Sequence, residues 1–329
     1  MENQSQSNNS NAQKGYLVSA FYKFVSLNRE DLPALKEKIE KKAEELKIRG
    51  LFLLGTEGVN STISGPADGC AQFREYIAKD TIVGELTNKD SISDYMPFRA
   101  FKLKVKKEIV TLGDTSVVPE TTFLNHVTPE EWEEILQNDP DALVIDTRNW
   151  YETEIGKFKK ALDLNMNEFN EFPEKLKSLD INKDKKILIY CTGGIRCEKA
   201  IIEMQKQGFE NVYQLEGGIL KYFEDVKQSD QWDGECFVFD RRVAVDTNLD
   251  ASTKYTFCPH CGQPAHKQVS CIRCDKTQKI CGKCLDSGKP ELKTCSKNCA
   301  HHHIRGSRVK RKNQGITRQE LHKIAGQKN

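Results

Sequence analysis

The stretch KKILIYCTGGIRCEKA, Lys185 to Ala200, decides how the rest of the chain is read. Ile187 to Tyr190 is a short apolar run of β-branched and aromatic residues, suited to a strand buried on both faces. Cys191 stands at its C-terminal end. Thr192, Gly193, Gly194, Ile195 and Arg196 form a tight loop, and Cys197-Glu198-Lys199-Ala200 opens a helix that Gly208 stops. A thiol among backbone N–H groups, at a helix N-terminus and beside an arginine, has its thiolate favoured by each neighbour. The paired glycines let the backbone wrap closely around a bound group, and Arg196 adds a charge that cannot be titrated away. The stretch reads as a cradle for an anionic sulfur species rather than as a buried structural cysteine ending a strand.

These residues resemble the active-site loop of the rhodanese superfamily, in which the first cysteine carries a persulfide. Four residues separate Cys191 from Arg196, the compact spacing of sulfur-carrying rhodaneses; the related phosphatase-like loops are one residue longer, so phosphate chemistry is disfavoured. Cys197 takes a place where many rhodaneses have serine or threonine, and either resolves a persulfide as a disulfide or caps the helix.

The resemblance extends beyond the loop. Phe21-Tyr22-Lys23-Phe24, Glu57-Gly58-Val59-Asn60, KVKKEIV (Lys104 to Val110), Asp146-Thr147-Arg148-Asn149, Glu216-Gly217-Gly218-Ile219 and Cys236-Phe237-Val238-Phe239-Asp240 fall in the order seen in one subfamily. These are the oxygen-dependent tRNA uridine hydroxylases, the TrhO family, and the likeness covers residues 16–300. It implies an oxidoreductase that converts the anticodon wobble uridine to 5-hydroxyuridine. Dioxygen would be its co-substrate, the tRNA anticodon loop its partner and Cys191 its catalytic residue. The residues alone support a persulfide-carrying sulfurtransferase equally well. A zinc-stabilised RNA-binding scaffold is disfavoured by the intact Cys191 and Arg196. No haem or flavin fingerprint appears, and no protein partner is inferred.

The 329 residues are expected to form an α/β protein of several domains, with a disordered polar leader over 1–14. Over 15–115 the reading is a ferredoxin-like α+β domain of order β-α-β-β-α-β, its last strand drawn from Phe101–Val105 and Glu108–Leu112. The first helix is capped by Asn28 or Asp31. EGVNSTISG (Glu57 to Gly65) is either a functional loop or a hairpin needing positive φ at Gly58 and Asn60. Lys102, Lys104, Lys106 and Lys107 read as a solvated strand face rather than as phosphate contacts. Over 121–228, strands alternating with helices imply a rhodanese-like parallel-sheet α/β domain. Ligands of such sheets bind beyond the strands' C-terminal ends, where Cys191 falls and also Asp146-Thr147-Arg148. Asp146 and Arg148 are expected to pair and brace the loop.

Twelve cysteines in a chain without a secretory leader or a bilayer-spanning apolar run point to the cytoplasm, to thiol chemistry and to metal. Eight of them lie in four pairs within a Cys-rich segment over 229–300: Cys258 and Cys261, Cys271 and Cys274, Cys281 and Cys284, Cys295 and Cys299. They suit two structural zinc ions. Which pairs share an ion is left open, as are substitution by His260, His266 or His301 and an iron–sulfur alternative. Over 301–329 a basic tail carries eight Lys/Arg against one acid, Glu320, and is expected to be attracted to polyanions.

Overall fold

A computed structural model describes residues 15–119 and 125–306. The leader over 1–14 and the basic residues from Arg308 onward lie outside the described residues. Of the described residues, those up to Lys254 form one compact unit and those from Tyr255 another.

The chain begins with β1 (Tyr16–Phe24), α1 (Leu32–Glu45), β2 (Arg49–Gly55), β3 (Gly58–Gly65), α2 (Ala67–Lys79), β4 (Thr87–Ser93) and β5 (Phe101–Val105). The sheet order is β4-β1-β3-β2-β5, antiparallel except that β5 runs parallel to β2. The ferredoxin-like order is present, but its closing strand is β4 and not the expected 101–112 segment. TNKDSIS has one large apolar residue, so hydrophobic pattern gave no sign of a strand there. Phe101–Val105 is instead a fifth, edge strand. Glu108–Leu112 is no strand at all: the Glu108 carboxylate accepts from the N–H groups of Leu112 and Gly113, at 3.0 and 3.1 Å, curling that backbone. Asn60 lies within β3 without positive φ, and only Gly58 takes it, at 133°. Asp31 is the N-cap position of α1, without a capping side-chain bond.

Phe21, Phe52, Ile63 and Phe73 pack between this sheet and its two helices. Val18, Ala20 and Tyr22 alternate with them along β1 and line a cavity on the other face.

There follow β6 (His126–Val127), α3 (Pro129–Asn138), β7 (Leu143–Asp146), α4 (Trp150–Thr153), β8 (Gly156–Phe158), β9 (Leu162–Asp163), α5 (Phe172–Lys177), β10 (Ile187–Tyr190), α6 (Ile195–Lys206), β11 (Val212–Leu215) and α7 (Gly218–Asp225). Five strands form a sheet of order β6-β11-β10-β7-β9 with every pairing parallel. Ile187 and Ile189 of β10 join a core with α5 and α6, whereas Leu188 and Tyr190 join one with α3 and α7. Burial on both faces is what the continuous apolar run requires. Helix α6 starts at Ile195, two residues before the expected Cys197, so Arg196 belongs to its first turn. Beyond α7 lie β12 (Trp232–Gly234) and the hairpin of β13 (Cys236–Phe237) and β14 (Ala244–Val245).

The second unit holds two small hairpins, β15 (Thr256–Phe257) with β16 (Pro264–Ala265) and β17 (Lys267–Ser270) with β18 (Thr277–Ile280), then α8 (Gly282–Asp286) and α9 (Lys297–Ile304). Its buried cluster consists of Ala265, Ile280 and three cysteines. Apolar packing of that size cannot hold the unit by itself.

Candidate active site

Cys191 is fully buried where β10 ends. Two helix N-termini meet around it. Gly194, at φ 96°, is the N-cap of α6, and its N–H points at Cys191 Sγ from 3.1 Å. On the other side the first turn of α7 donates into the loop, Ile219 N–H to the Cys191 carbonyl and Leu220 N–H to that of Thr192. Gly218 makes this approach possible. A Cβ there would stand 2.5 Å from the Cys191 carbonyl oxygen and 2.7 Å from the Gly194 nitrogen.

Burial by itself would push the Cys191 thiol up. The Cys197 thiol donating to it, the Arg196 guanidinium and the N–H groups of Arg196 and Gly193 outweigh burial and bring it down to about 6. Cys197 behaves in the opposite sense: burial and the adjacent sulfur push it well up, so it stays a thiol, with its Sγ 3.7 Å from Thr147 Oγ1. Of the two sulfurs, Cys191 is the one whose thiolate form is favoured.

Arg196 is clamped by a residue that sequence reading passed over. Its two terminal guanidinium nitrogens donate to Glu152, at 2.7 and 2.8 Å, and Glu152 also accepts from Thr192 Oγ1 at 3.2 Å. Glu152 also accepts from the Asn149 backbone N–H at 3.2 Å, at the start of α4. The Asn-x-x-Glu spacing was the available signal. Asp146 and Arg148 form a buried fork, Nε–Oδ1 2.9 Å and Nη2–Oδ2 2.6 Å, to which the Tyr190 hydroxyl donates and from which Arg148 reaches the Gly156 carbonyl. They tie the ends of β7 and β10 together and stand behind the loop rather than in it.

Above Cys191 lies a cavity of about 310 Å³. One wall is the loop: Cys191, Thr192, Gly193 and Arg196. The opposite wall is the uncovered face of the first sheet, with Val18, Ala20, Tyr22, Leu51, Leu53, Asn60 and Lys89. Phe239, Asp240 and Arg242 close one side. Arg242 is held by Asp240 and donates to Ser91 of β4 at 2.8 Å. The volume is at the small end of the range for ligand pockets, ~300–1,000 Å³.

Family models match in three consecutive blocks: a UPF0176 acylphosphatase-like domain over residues 16–109, a rhodanese-like domain over 128–225 and a rhodanase C-terminal region over 233–300. A protein of Bdellovibrio bacteriovorus described as tRNA uridine(34) hydroxylase is 48% identical over 294 residues, covering 87% of this chain and 81% of its own. The chain belongs to the tRNA uridine(34) hydroxylase family. Family members of the same description from Teredinibacter turnerae and a Picosynechococcus species are 41% and 40% identical. They align with 85% of this chain and with 86% and 94% of their own lengths. A solved rhodanese-like domain from an Anabaena species is similar over 34% of this chain and 80% of its own, at 18% identity and a TM-score of 0.29.

In this tRNA uridine(34) hydroxylase family member the eight paired cysteines converge into two groups. Cys258, Cys261, Cys281 and Cys284 make one, and Cys271, Cys274, Cys295 and Cys299 the other. First pair joins third and second joins fourth, so the two sites interleave. Neither group includes a histidine: His260 bonds the Thr294 carbonyl, His266 lies against Tyr255, and His301 meets His302 edge-on. Separations between sulfurs are 3.4 Å for Cys261–Cys281, and 3.5 to 3.8 Å within Cys274, Cys295 and Cys299. A tetrahedron of sulfurs at the Zn–S distance of ~2.3 Å has edges of ~3.8 Å, so the thiols fit such an ion. Among the described residues no helix is long and apolar enough to cross a membrane.

Proposed function

We propose that this protein hydroxylates the wobble uridine of tRNA at C5 using dioxygen, with Cys191 as its reactive thiolate. The substrate is carried by the kinship with proteins named tRNA uridine(34) hydroxylase. The observation that carries the residue assignment is the walled cavity directly over a cysteine whose thiolate is favoured at neutral pH. A uridine splayed out of the anticodon loop would enter it as a single flipped base.

The chemistry follows from what a thiolate does to uracil. Attack at C6 forms a C6–S bond and moves the C5–C6 π pair towards C5 and, through C4, onto O4. C5, the carbon that gains the hydroxyl, becomes electron-rich in that adduct. Thr192, Gly193, Gly194, Ile195 and Arg196 would hold the sulfur's charge, Cys197 would keep a proton on its side of the sulfur, and Asp146 and Arg148 would brace the strand ends. Two structural zinc ions would occupy the two cysteine groups and supply folding energy rather than reactivity. A tRNA substrate supports a cytoplasmic site of action.

One observation favours persulfide transfer as a second reading: the N–H groups around Sγ suit any anionic sulfur. Nucleoside mass spectrometry of tRNA separates the two. The hydroxylase reading expects 5-hydroxyuridine to fall in cells lacking this protein and to return with wild type but not with Cys191→Ala. Unchanged 5-hydroxyuridine, with thiosulfate sulfurtransfer by the purified protein, would overturn it.

A further inference from the structure

Among the described residues of the first unit, five lysine or arginine side chains are buried: Lys89, Arg148, Arg196, Lys199 and Arg242. Four of them have carboxylates. Arg148 pairs with Asp146, Arg196 with Glu152, Arg242 with Asp240, and Lys199 with both Glu57 and Glu108. Lys89, only 7% exposed, has no carboxylate in ion-pair contact among the described residues. Its ammonium lies over the Tyr22 ring instead, 4.8 Å from the centroid. A buried charge without a partner is costly to keep, and a ligand that brings the partner relieves that cost.

The position of Lys89 indicates which ligand. It lies mid-way along β4 opposite Ala20, and lines the Cys191 cavity. Tyr22, which fixes the ring beneath it, is itself held by donating to Glu198 of α6 at 2.9 Å. The groups facing the ammonium are the Cys191 sulfur, Glu198, Glu216 before α7 and Lys221 on it. Burial pushes Lys89 down, the three anionic groups offset this in part, and it rests at about 8. Between about pH 6 and 8 Cys191 is therefore a thiolate while Lys89 is an ammonium, on one and the same cavity.

We infer that Lys89 is a catalytic residue that donates to O4 of the target uracil as negative charge develops there, when Cys191 adds to C6. The step balances within the base and these two side chains: the S–C6 bond forms, the π pair shifts onto C5 and O4, and Lys89 donates a hydrogen bond or its proton to O4. This inference rests on the hydroxylase reading and adds to it the cation that the base meets opposite the sulfur. Donors aimed at a developing oxyanion in a site closed to water are effective in this way.

The test uses the full-length protein and a synthetic anticodon stem-loop with uridine at the wobble position. Lys89→Met should slow 5-hydroxyuridine formation about 100-fold, the loss expected for one oxyanion donor. Stem-loop affinity should stay within about threefold, as for an interaction made in the transition state. Lys89→Arg should recover part of the rate, and the alkaline limb of the wild-type pH profile near 8 should disappear in Lys89→Met. Without substrate, Lys89→Met should shift the midpoint of Cys191 alkylation by iodoacetamide to higher pH, because a cation facing the sulfur is gone. Should Lys89→Met not fold, Lys89→Gln takes its place in each assay. A variant with near-wild-type rate and an unmoved pH profile overturns the inference while the hydroxylase reading stands. A wild-type protein that makes no 5-hydroxyuridine removes both, and the alkylation midpoint still reports whether Lys89 faces the sulfur.

Discussion

The Tyr22 hydroxyl, on the first strand, donates to Glu198, in the helix that follows the Cys191 loop, across 2.9 Å and 176 positions of sequence. Glu198 also accepts from Gln214 of β11 and contacts His126 Nε2 at 3.2 Å. One carboxylate thus fastens the first sheet to the second and sets the distance between the two cavity walls. Tyr22→Phe should lower stability to denaturant by about 1.5–3 kcal/mol, the range for a hydrogen bond to a charged group. Rate should fall as well, through the looser wall; a variant of unchanged stability would show that the bond holds nothing together.

The two loop cysteines should separate cleanly on substitution. Cys191→Ser should abolish 5-hydroxyuridine formation. Cys197→Ser should be milder, since its sulfur is a protonated donor and serine can donate in its place. Cys197→Ala removes the donor and should move the alkylation midpoint of Cys191 above about 6. Equal loss in both serine variants, measured as single-turnover rates, would overturn the single-nucleophile picture.

Glu152 should govern stability in acid. Burial pushes its carboxyl up, but the Arg196 guanidinium outweighs burial and holds it below the usual range. A folded-state value below the unfolded one stabilises the protein above about pH 4.3, the ordinary glutamate value, and that stabilisation is lost as pH falls through the folded value. Glu152→Gln should cost about 3 kcal/mol at neutral pH by leaving Arg196 buried and unpaired. Denaturant midpoints followed from pH 7 downward should converge for wild type and variant.

Two metal ions per chain should be found by elemental analysis. A thiol-directed stripping reagent should release both and unfold the segment from Tyr255, whose few apolar residues cannot hold it. Because each site's ligands flank half of the other's, Cys261→Ser should cost more than one ion. Stoichiometric loss of a single ion would show that the sites are independent.

What the sequence made legible was local. The Cys191 loop could be read because strand, glycines, arginine and helix succeed one another within sixteen residues. The Asp146–Arg148 fork needed only a two-residue reach. The cysteine pairs were plain, but their interleaving is a fact of three dimensions that spacing does not encode. β4 was missed because its residues are polar, and pairing with β1 rather than hydrophobicity makes it a strand. The cavity was missed for a related reason: its walls come from alternate residues on four strands joined to a loop far along the chain. One sign was there. Along β1, Val18 and Tyr22 on one face alternate with Phe21 on the other, and a strand apolar on both sides must be covered on both.

The cavity has a history as well as a shape. Its sheet wall is complete once Ser91 has been synthesised, its sulfur arrives at Cys191, and its side is closed only by Phe239 to Arg242. During translation the Cys191 thiol is therefore made before its enclosure is finished. The groups that favour its thiolate, Cys197, Arg196 and the N–H groups of Gly193 and Arg196, all follow it within six residues. From the completion of that loop until Phe239 to Arg242 are added, the nascent chain carries this sulfur before one side of its enclosure exists.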